Sequence, residues 1–278
     1  MPELPEVETV ARTLAPDIAG KKLCSLKCLN PSSWADELDY DCLAGVQPKI
    51  QRVGRKGKLL LLYFEPFSHA GYEILALAFH LKMSGRLFYY AKPKEAEKHT
   101  RIILHFENNE TVFFDDARKF GYCRFLTNKS AENWDFWKKL AKDPLEMTLN
   151  EFIDAIKGKK ANIKSVLLQQ DIVSGIGNIY ADEALFLAKI APQRKASSLS
   201  VLEMQCLYQS IRDVLEESIA FCGSSIKDYR TAKGDVGSFQ NKFKIYGREG
   251  EKCFICGTLL EKTSTAGRTT IFCPLCQK

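Results

Sequence analysis

The chain has 278 residues, of which 45% are hydrophobic and 27% charged, so it can bury one large core or two to three smaller ones, and wholesale disorder is excluded. The longest apolar runs, 59–64 and 74–79, fall far short of the ~20 residues that span a bilayer. No charged-then-apolar leader precedes them, so we expect a soluble protein that is not secreted. The formal charge is +6, and residues 225–278 hold ten Lys or Arg against five Asp or Glu, which predicts a polyanionic partner.

The first half of the chain predicts one helix followed by a β-rich domain. Residues 2–16 place apolar side chains at helical spacing, with Pro5 and three glutamates near the start. Short β-rich runs follow at 23–29, 58–64, 73–81, 87–90, 102–106, 111–114 and 122–126, and Asn108-Asn109 marks a hairpin turn. So many strands after a single helix favour an antiparallel sandwich or barrel over alternating βαβ units.

Helical spacing dominates the second half. Residues 127–147 predict a connection between domains, and helices are expected at 149–157, 163–169, 180–188 and from Ser200, where Ser200 and Glu203 form a capping box. Residues 223–243 are rich in Gly, Ser and basic residues, which predicts a mobile loop. We therefore divide the chain into a first domain at 1–130, a linker at 131–147, a second domain at 148–240 and a third at 241–278.

The ten cysteines form two groups. Cys253, Cys256, Cys273 and Cys276 are two Cys-x2-Cys pairs separated by 16 residues, a spacing in which two tight turns present four thiolates to one tetrahedral zinc ion. Two disulfides are the alternative, but nothing in the sequence points to an oxidising compartment. Strands at 259–262 and 269–272 predict a hairpin with Arg268 near its tip. The six scattered cysteines are expected to be small buried side chains.

The N-terminal residues offer a nucleophile. Removal of Met1 leaves Pro2 with a free secondary amine, and an α-amino pKa of ~7.7–8.0 leaves a useful fraction unprotonated at neutral pH. Such an amine condenses with an aldehyde-level carbon to give an iminium, and Glu3 beside it can act as acid or base. Pro and Glu are also ordinary residues at a helix start, so the pattern by itself leaves both interpretations open.

Three further segments are candidates for binding nucleic acid. Residues 80–86 and 115–121 interrupt strands with Met83 and Phe120 among polar and basic neighbours. Turns of this kind can push an apolar side chain into a base stack while cations hold phosphates. Solvated turns with a partly buried Met or Phe are the alternative for each segment alone. Residues 175–180 place two glycines before a helix, which suits either phosphate binding or a tight turn between helices.

Taken together, these segments resemble the bacterial formamidopyrimidine-DNA glycosylases, which excise oxidised purines from duplex DNA. The resemblance runs from the first residues through Lys58, 80–85, 116–121 and 175–181 to the terminal cysteines. It implies an α+β multidomain fold, in which an N-terminal helix and an antiparallel β-sandwich are followed by a helix-two-turn-helix domain and a zinc-finger hairpin. It also implies one structural zinc ion and damaged double-stranded DNA as the partner of a monomeric protein in the bacterial cytoplasm, at the nucleoid.

The resemblance also implies roles for individual residues. Pro2 would be the nucleophile that attacks C1′ of the damaged nucleotide, and Glu3 the acid that assists sugar-ring opening; β-elimination and then δ-elimination would cut the strand. Lys58 would be the catalytic lysine near the phosphates of the reacting nucleotide. Arg268, also assigned to the catalytic set, would grip the phosphate that flanks the flipped nucleoside. The intercalating triad would be Met83, Arg118 and Phe120, with Arg118 bound to the cytosine left without a partner. The remaining expected DNA contacts are His80, His99, Lys159, Asn178, Lys227 and Tyr246.

Departures from the family pattern and competing interpretations set the limits of this resemblance. Lys82 stands where the family usually has glycine, and Ala117-Arg118-Lys119 stands where Pro-Arg-Arg is common. The middle of the 229–240 loop, which covers the flipped base in the family, also differs from the family's sequences, so the resemblance leaves the order of preference among oxidised purines open. Endonuclease VIII, a relative that removes oxidised pyrimidines, usually begins Pro-Glu-Gly-Pro and lacks the Arg-x-Phe arrangement, and Leu4 argues against it. Intact Pro2, Glu3 and Lys58 argue against a non-catalytic damage-binding protein.

Overall fold

The computed structural model describes residues 1–278, except for the side chain of residue 44. The chain forms two compact units, which do not coincide with continuous halves of the sequence. The first unit comprises residues 1–138 and 222–238, and the second comprises residues 139–221 and 239–278.

The first unit consists of one long helix, short helices and two antiparallel sheets. Its helices are α1 (Leu4–Ile18), α2 (Cys42–Val46) and α3 (Asn128–Asn133), and α4 (Asp135–Lys139) lies at the end of its first segment. Its strands are β1 (Leu23–Cys28), β2 (Ile50–Lys56), β3 (Leu59–His69), β4 (Tyr72–His80), β5 (Gly85–Tyr90), β6 (Thr100–Phe106), β7 (Thr111–Asp116) and β8 (Tyr122–Thr127). One sheet has the strand order β1-β6-β7-β5, and the other has the order β2-β3-β4-β8. These sheets confirm the predicted antiparallel architecture.

Side chains from both sheets and from α1 share one hydrophobic core. Leu60 and Leu62 lie on one face of β3 and meet Leu104 and Phe114 from the other sheet in the same cluster. Leu59 and Leu61, on the opposite face, are also fully buried, so this part of β3 is covered on both sides. Helix α1 contributes fully buried residues at helical spacing, namely Leu4, Val7, Val10, Leu14 and Ile18. This packing fixes the helix that directly follows Pro2 and Glu3.

The sequence prediction missed one strand of this unit, β2, and its three short helices, α2, α3 and α4. Strand β2 contains Gly54 and three basic residues, so its sequence shows no alternation of apolar and polar residues. It lies at the edge of its sheet, where charged side chains are tolerated. The guanidinium carbon of Arg52 lies 3.5 Å from the centre of the Tyr63 ring, so one of these cations is held against the sheet. The predicted connection at 127–147 contains α3 and α4. The Asn108-Asn109 turn is confirmed, with φ angles of 64° and 60°.

The second unit is helical and ends in a hairpin. Its helices are α5 (Leu149–Ile156), α6 (Ile163–Leu168), α7 (Asn178–Leu187) and α8 (Val201–Ala220), and its strands are β9 (Glu261–Thr265) and β10 (Arg268–Phe272). The predicted capping box is confirmed, because Ser200 N donates to Glu203 Oε2 at 2.8 Å and Glu203 N donates to Ser200 Oγ at 3.3 Å. The hairpin turn has φ angles of 53° at Ala266 and 67° at Gly267, as a two-residue type I′ turn requires.

The compact units differ from the predicted domains in two respects. Residues 241–278 pack against α7 in one unit, through a cluster that includes Phe186, Ile245, Leu260 and Ile271. Residues 222–238, which were expected to form the end of the second domain and a mobile loop, belong to the first unit.

Of the six scattered cysteines, Cys42 and Cys123 are buried, but Cys24 and Cys28 are half-buried and Cys206 and Cys222 are exposed. The expectation of burial is therefore wrong for four of them.

Candidate nucleic-acid interface and catalytic residues

The first turn of α1 holds two buried carboxylates. Pro2 is buried, and Glu3 and Glu6 are 3% and 2% exposed. Glu6 Oε2 accepts a hydrogen bond from Glu3 N at 2.8 Å, and Glu6 Oε1 accepts one from Ser224 N at 2.8 Å. Both oxygens of Glu6 are therefore occupied by backbone N–H groups. The Glu6 carboxylate fixes the backbone at the predicted acid, Glu3, directly after the predicted nucleophile.

Lys58 and His80 lie at the same end of one sheet. Gly57, with φ 54°, and Lys58 form the two-residue turn between β2 and β3, since Lys56 pairs with Leu59. Leu59 in turn pairs with His80 at the end of β4. Both side chains are 6% exposed. The structure therefore brings together these two predicted site residues through strand register.

His80 is held as a neutral imidazole. Its Nδ1 accepts a hydrogen bond from Lys82 N at 3.1 Å, which assigns the ring proton to Nε2. Burial, aided by the charges of Lys82 and Lys58, lowers the pKa of His80 to about 3. The ring packs 5.6 Å from Tyr122 and 5.8 Å from Phe136, measured between centroids. At neutral pH His80 offers one N–H donor and no charge.

A single buried carboxylate organises the turns at 80–86 and 115–121, which carry Met83 and Phe120 and are called the wedge turns below. Asp116 is fully buried, and its Oδ1 accepts from the Ser84 hydroxyl and, at 3.2 Å, from Arg118 N. Its Oδ2 accepts from Gly121 N at 2.6 Å. Because Ser84 lies in one turn and Arg118 in the other, Asp116 ties the two turns together. The sequence analysis did not assign this role; the signal it passed over is a carboxylate placed just before a turn, where Asp commonly accepts backbone N–H bonds.

The wedge side chains themselves project from these turns. Met83 is 38% exposed and Phe120 is 56% exposed, which is unusual for large apolar side chains in a unit with an ample core. The guanidinium carbon of Arg118 lies 4.8 Å from the centre of the Phe120 ring. Gly85 allows the backbone to pass close to Leu81 in the first of these turns, since a Cβ on Gly85 would lie 2.5 Å from Leu81 O. Arg118 thus lies against Phe120, and Asp116 links their turn to the turn that carries Met83.

Two other predicted DNA contacts lie in the first unit. The carbonyl oxygen of His99 accepts from Asp116 N at 2.9 Å, so His99 is attached to the same pair of turns. Among the described residues, the buried His99 Nδ1 has no hydrogen-bond partner. Lys227 is exposed on the 222–238 segment. That segment is anchored rather than loose, because Tyr229 and Ala232 belong to the hydrophobic core. The polar composition of the segment conceals these two anchors from sequence analysis.

In the second unit, two of the four predicted site residues, Asn178 and Arg268, lie at the hairpin. Arg268 is exposed at the first position of β10, and Asn178 Nδ2 donates to Thr269 O at 3.1 Å. The predicted contact Tyr246 is held by Glu183, whose carboxylate accepts from the N–H groups of Lys244, Ile245 and Tyr246 at 2.8 to 3.0 Å. Lys159 is exposed after α5. Asn178 and Arg268 are thus brought close together, and Lys159 and Tyr246 remain predictions.

A fully buried ion pair supports this hairpin. Lys164 Nζ lies 2.6 Å from Asp182 Oδ1, 2.7 Å from Thr270 Oγ1 and 3.2 Å from Thr269 O. Burial raises the pKa of Asp182 to about 7 in spite of the neighbouring ammonium. Because breaking such a pair leaves a buried charge uncompensated, Lys164 fixes the strand that begins with Arg268. The sequence analysis missed Lys164, whose only signal is a pair of acidic residues within the otherwise apolar helix α7.

The four terminal cysteines fit a zinc ion. Their sulfur atoms all lie within 4.8 Å of one another, with 3.9 Å between Cys253 and Cys276 and 3.5 Å between Cys256 and Cys273. Tetrahedral zinc with Zn–S distances near 2.3 Å requires sulfur spacings of roughly 3.8 Å. The backbone N–H groups of Ile255 and Cys276 each donate to a cysteine sulfur at 3.4 Å, as they do to thiolates. Four sulfur ligands leave no open position, so this metal would be structural.

Family models match almost the whole chain. Residues 1–123 match the formamidopyrimidine-DNA glycosylase N-terminal domain, residues 140–230 match the H2TH domain of the same enzymes, and residues 250–278 match a zinc finger found in FPG and IleRS. The chain belongs to the formamidopyrimidine-DNA glycosylase family. The four cysteines are thus the ligands of the family's zinc finger, and the predicted multidomain fold and zinc cofactor are confirmed.

Individual members of the formamidopyrimidine-DNA glycosylase family match end to end. Proteins of that name from Desulfitobacterium hafniense and Nitratidesulfovibrio vulgaris are 40% and 37% identical, with each alignment covering 100% of both chains. A Lactococcus lactis FPG mutant in complex with Fapy-dG-containing DNA matches with a TM-score of 0.87, 33% identity and full coverage of both chains. The Lactococcus lactis Fpg in complex with DNA containing an abasic site matches with a TM-score of 0.85 and 33% identity, and the match covers 99% of both chains.

Proposed function

We propose that this chain excises oxidised purines, including 8-oxoguanine and formamidopyrimidines, from duplex DNA and then cuts the strand at the abasic site. The observation that carries the proposal is the combination of a buried Pro2-Glu3 pair with two linked turns that expose Met83 and Phe120. The first feature supplies amine chemistry, and the second supplies a wedge for the base stack. Relatives solved with Fapy-dG DNA and with abasic DNA support both the base class and the second step.

The proposed chemistry begins at the amine of Pro2, once Met1 has been removed. The nitrogen attacks C1′ of the damaged nucleotide, the bond from C1′ to the base breaks, and the base leaves with a proton. Glu3 protonates the ring oxygen of the sugar so that the ring opens, which leaves an iminium between Pro2 and C1′. The iminium withdraws electrons from C2′, whose proton is then removed. The 3′ and then the 5′ phosphate depart by β- and δ-elimination.

Base extrusion explains the remaining site residues. Flipping a nucleotide out of the helix costs a few kcal/mol of stacking and pairing, and Met83 and Phe120 partly restore stacking in the gap. The Arg118 guanidinium donates hydrogen bonds to the cytosine left behind. Lys58, Asn178 and Arg268 lie at DNA phosphates. The further DNA contacts are His80, His99, Lys159, Lys227 and Tyr246. We expect a monomer that acts in the bacterial cytoplasm, at the nucleoid. Among the described residues, every helix is too short or too polar to cross a lipid bilayer.

Borohydride trapping tests the proposal. The substrate is a duplex with one 8-oxoguanine opposite cytosine, and the expected product is a covalent complex, reduced at the iminium, in which the peptide containing Pro2 carries the DNA. Retaining Met1 or adding an N-terminal tag should abolish trapping while the protein still folds. Binding to the duplex without trapping by the processed protein would instead favour a damage-binding protein without catalysis.

A further inference from the structure

Each wedge turn carries a lysine in the left-handed backbone conformation directly before the exposed apolar residue. Lys82, with φ 50°, precedes Met83, and Lys119, with φ 59°, precedes Phe120. Residues with a Cβ atom rarely adopt this conformation, whereas glycine adopts it without steric cost. The backbone conformation at position 82 favours glycine over lysine. The presence of a lysine there is therefore explained by its side chain and not by its backbone.

The Lys82 ammonium lies over an aromatic ring. Its Nζ is 5.5 Å from the centre of the Tyr122 ring, and within the part of the chain that the structure describes it makes no ion pair with a carboxylate. The hydrogen bond from Lys82 N to His80 Nδ1, at 3.1 Å, fixes the start of the turn. The backbone of Lys82 is thus fixed, while its ammonium group has no anionic partner in the part of the protein that the structure describes.

Two cations meet at this end of the sheet. The register places Lys58 one residue before Leu59, the partner of His80, and Lys82 two residues after His80. The charges of both lysines act on the His80 ring and oppose its protonation. His80 between them is a neutral N–H donor, so the three side chains together form a local site of positive potential that suits an anion.

We propose that Lys82 binds a backbone phosphate beside the base step into which Met83 inserts, in addition to the contacts of Lys58 and His80. Consecutive Cα atoms are only about 3.8 Å apart, so a Met83 side chain within the stack brings Lys82 to the sugar-phosphate backbone. The inference rests on the proposed function, because it requires Met83 to enter duplex DNA. It assigns to this chain a phosphate contact in the wedge turn itself.

The test uses three variants of the full-length, zinc-loaded protein. Lys82→Gln removes the charge and keeps the left-handed strain, Lys82→Gly removes both, and Lys82→Arg keeps the charge. Affinity for a duplex with a stable abasic-site analogue is measured between 50 and 300 mM salt. One lost phosphate contact should reduce the slope of log K against log salt by about 0.9 and the affinity at 0.1 M salt by about eightfold. The Gln and Gly variants should show this loss equally, and the Arg variant should bind like the wild type.

Lys189 provides a matched control. It is an exposed lysine with φ 58°, located after α7 and outside the proposed interface, so Lys189→Gly removes the same charge from the same backbone conformation. We expect it to leave affinity and salt slope unchanged. The Gly variants at both positions should unfold at a higher temperature, which separates the backbone effect from the charge effect.

Several results would overturn the assignment of Lys82. These are an unchanged slope for Lys82→Gln and Lys82→Gly, an equal loss for Lys189→Gly, or a loss in the Gly variant that the Gln variant does not share. Borohydride trapping by the wild type is run alongside. Trapping by the wild type together with an unchanged Lys82→Gln slope refutes only the phosphate contact, whereas binding without any trapping refutes the proposed function.

Discussion

Glu3 and Glu6 are one helical turn apart, but they have different environments. Both oxygens of Glu6 accept backbone N–H groups, from Glu3 and from Ser224, so Glu6 serves to fix the turn. We therefore expect Glu3→Gln to lose excision of 8-oxoguanine at least a hundredfold, because the amide cannot protonate the sugar ring oxygen. Cleavage at a preformed abasic site, whose sugar is already open, should be largely retained. Gel assays on the two substrates measure both activities.

Glu6→Gln is the control for this prediction. An amide has only one acceptor oxygen, so one buried N–H group would lose its partner at a cost of about 1–3 kcal/mol. We expect a lower melting temperature and a parallel fall of both activities, rather than a selective loss of excision. If Glu3→Gln lost both activities equally, the division of roles between Pro2 and Glu3 would be refuted.

His80 makes the stability of the protein depend on pH. Its pKa is lowered by burial to about 3 in the folded state, while an unfolded histidine titrates near 6.5. Between these values the unfolded chain binds one more proton, so the free energy of unfolding falls as the pH falls from about 6.5 towards 3. Between pH 6.5 and 5 the wild type should lose about 2 kcal/mol more than His80→Gln. Urea unfolding at both pH values measures this, and identical losses would show that His80 is protonated in the folded protein.

At the scale of elements, the two wedge turns act as one because of Asp116. In Asp116→Asn the single amide oxygen cannot accept from Ser84, Arg118 and Gly121 together, and the amide N–H2 faces a donor. We expect excision of 8-oxoguanine to fall at least tenfold, since base extrusion needs both turns, with abasic-site cleavage less affected. Ser84→Ala, which removes only the link between the turns, should give a smaller loss in the same direction. Wild-type excision by Asp116→Asn would show that the turns hold their positions without it.

The elements that sequence analysis predicted are those whose signal is local. The spacing of apolar residues in α1, the Ser200-Glu203 capping box and the four cysteines each depend on a few neighbouring positions. Strand β2 was missed because its basic residues are stabilised by neighbours elsewhere in the chain, as Arg52 is by the Tyr63 ring.

The residues of the candidate site were also predictable only in part. The residues expected to contact DNA or to react were named through the resemblance to a family. The structure places Lys58 at the same end of a sheet as His80, and Asn178 beside the strand that begins with Arg268. Residues that only support them were not named. Asp116 and Lys164 act through partners that lie far away in the sequence, and pairwise contacts of this kind appear only when the chain has folded.

At the scale of the molecule, the zinc finger packs within the second unit. The finger shares a hydrophobic cluster with Phe186 of α7, and zinc contributes about 10–16 kcal/mol to the folding of such sites. Cys256→Ser should therefore reduce bound zinc from one ion per chain to none and weaken DNA binding at least tenfold. The exposed Cys206→Ser is the control and should keep both properties. Metal analysis and DNA titration measure them, and tight DNA binding by zinc-free protein would contradict the prediction.

The late return of the chain to the first unit affects how the protein is made. Domains usually fold as they leave the ribosome, N-terminal part first. Here the first unit lacks Tyr229 and Ala232 of its core until residues 222–238 have been synthesised, after the whole of α5–α8. Ala232 also supplies the carbonyl oxygen that accepts from Tyr89 N at 3.0 Å. Nascent chains that end before residue 222 therefore lack part of the core of the first unit, which is complete only when most of the protein has been translated.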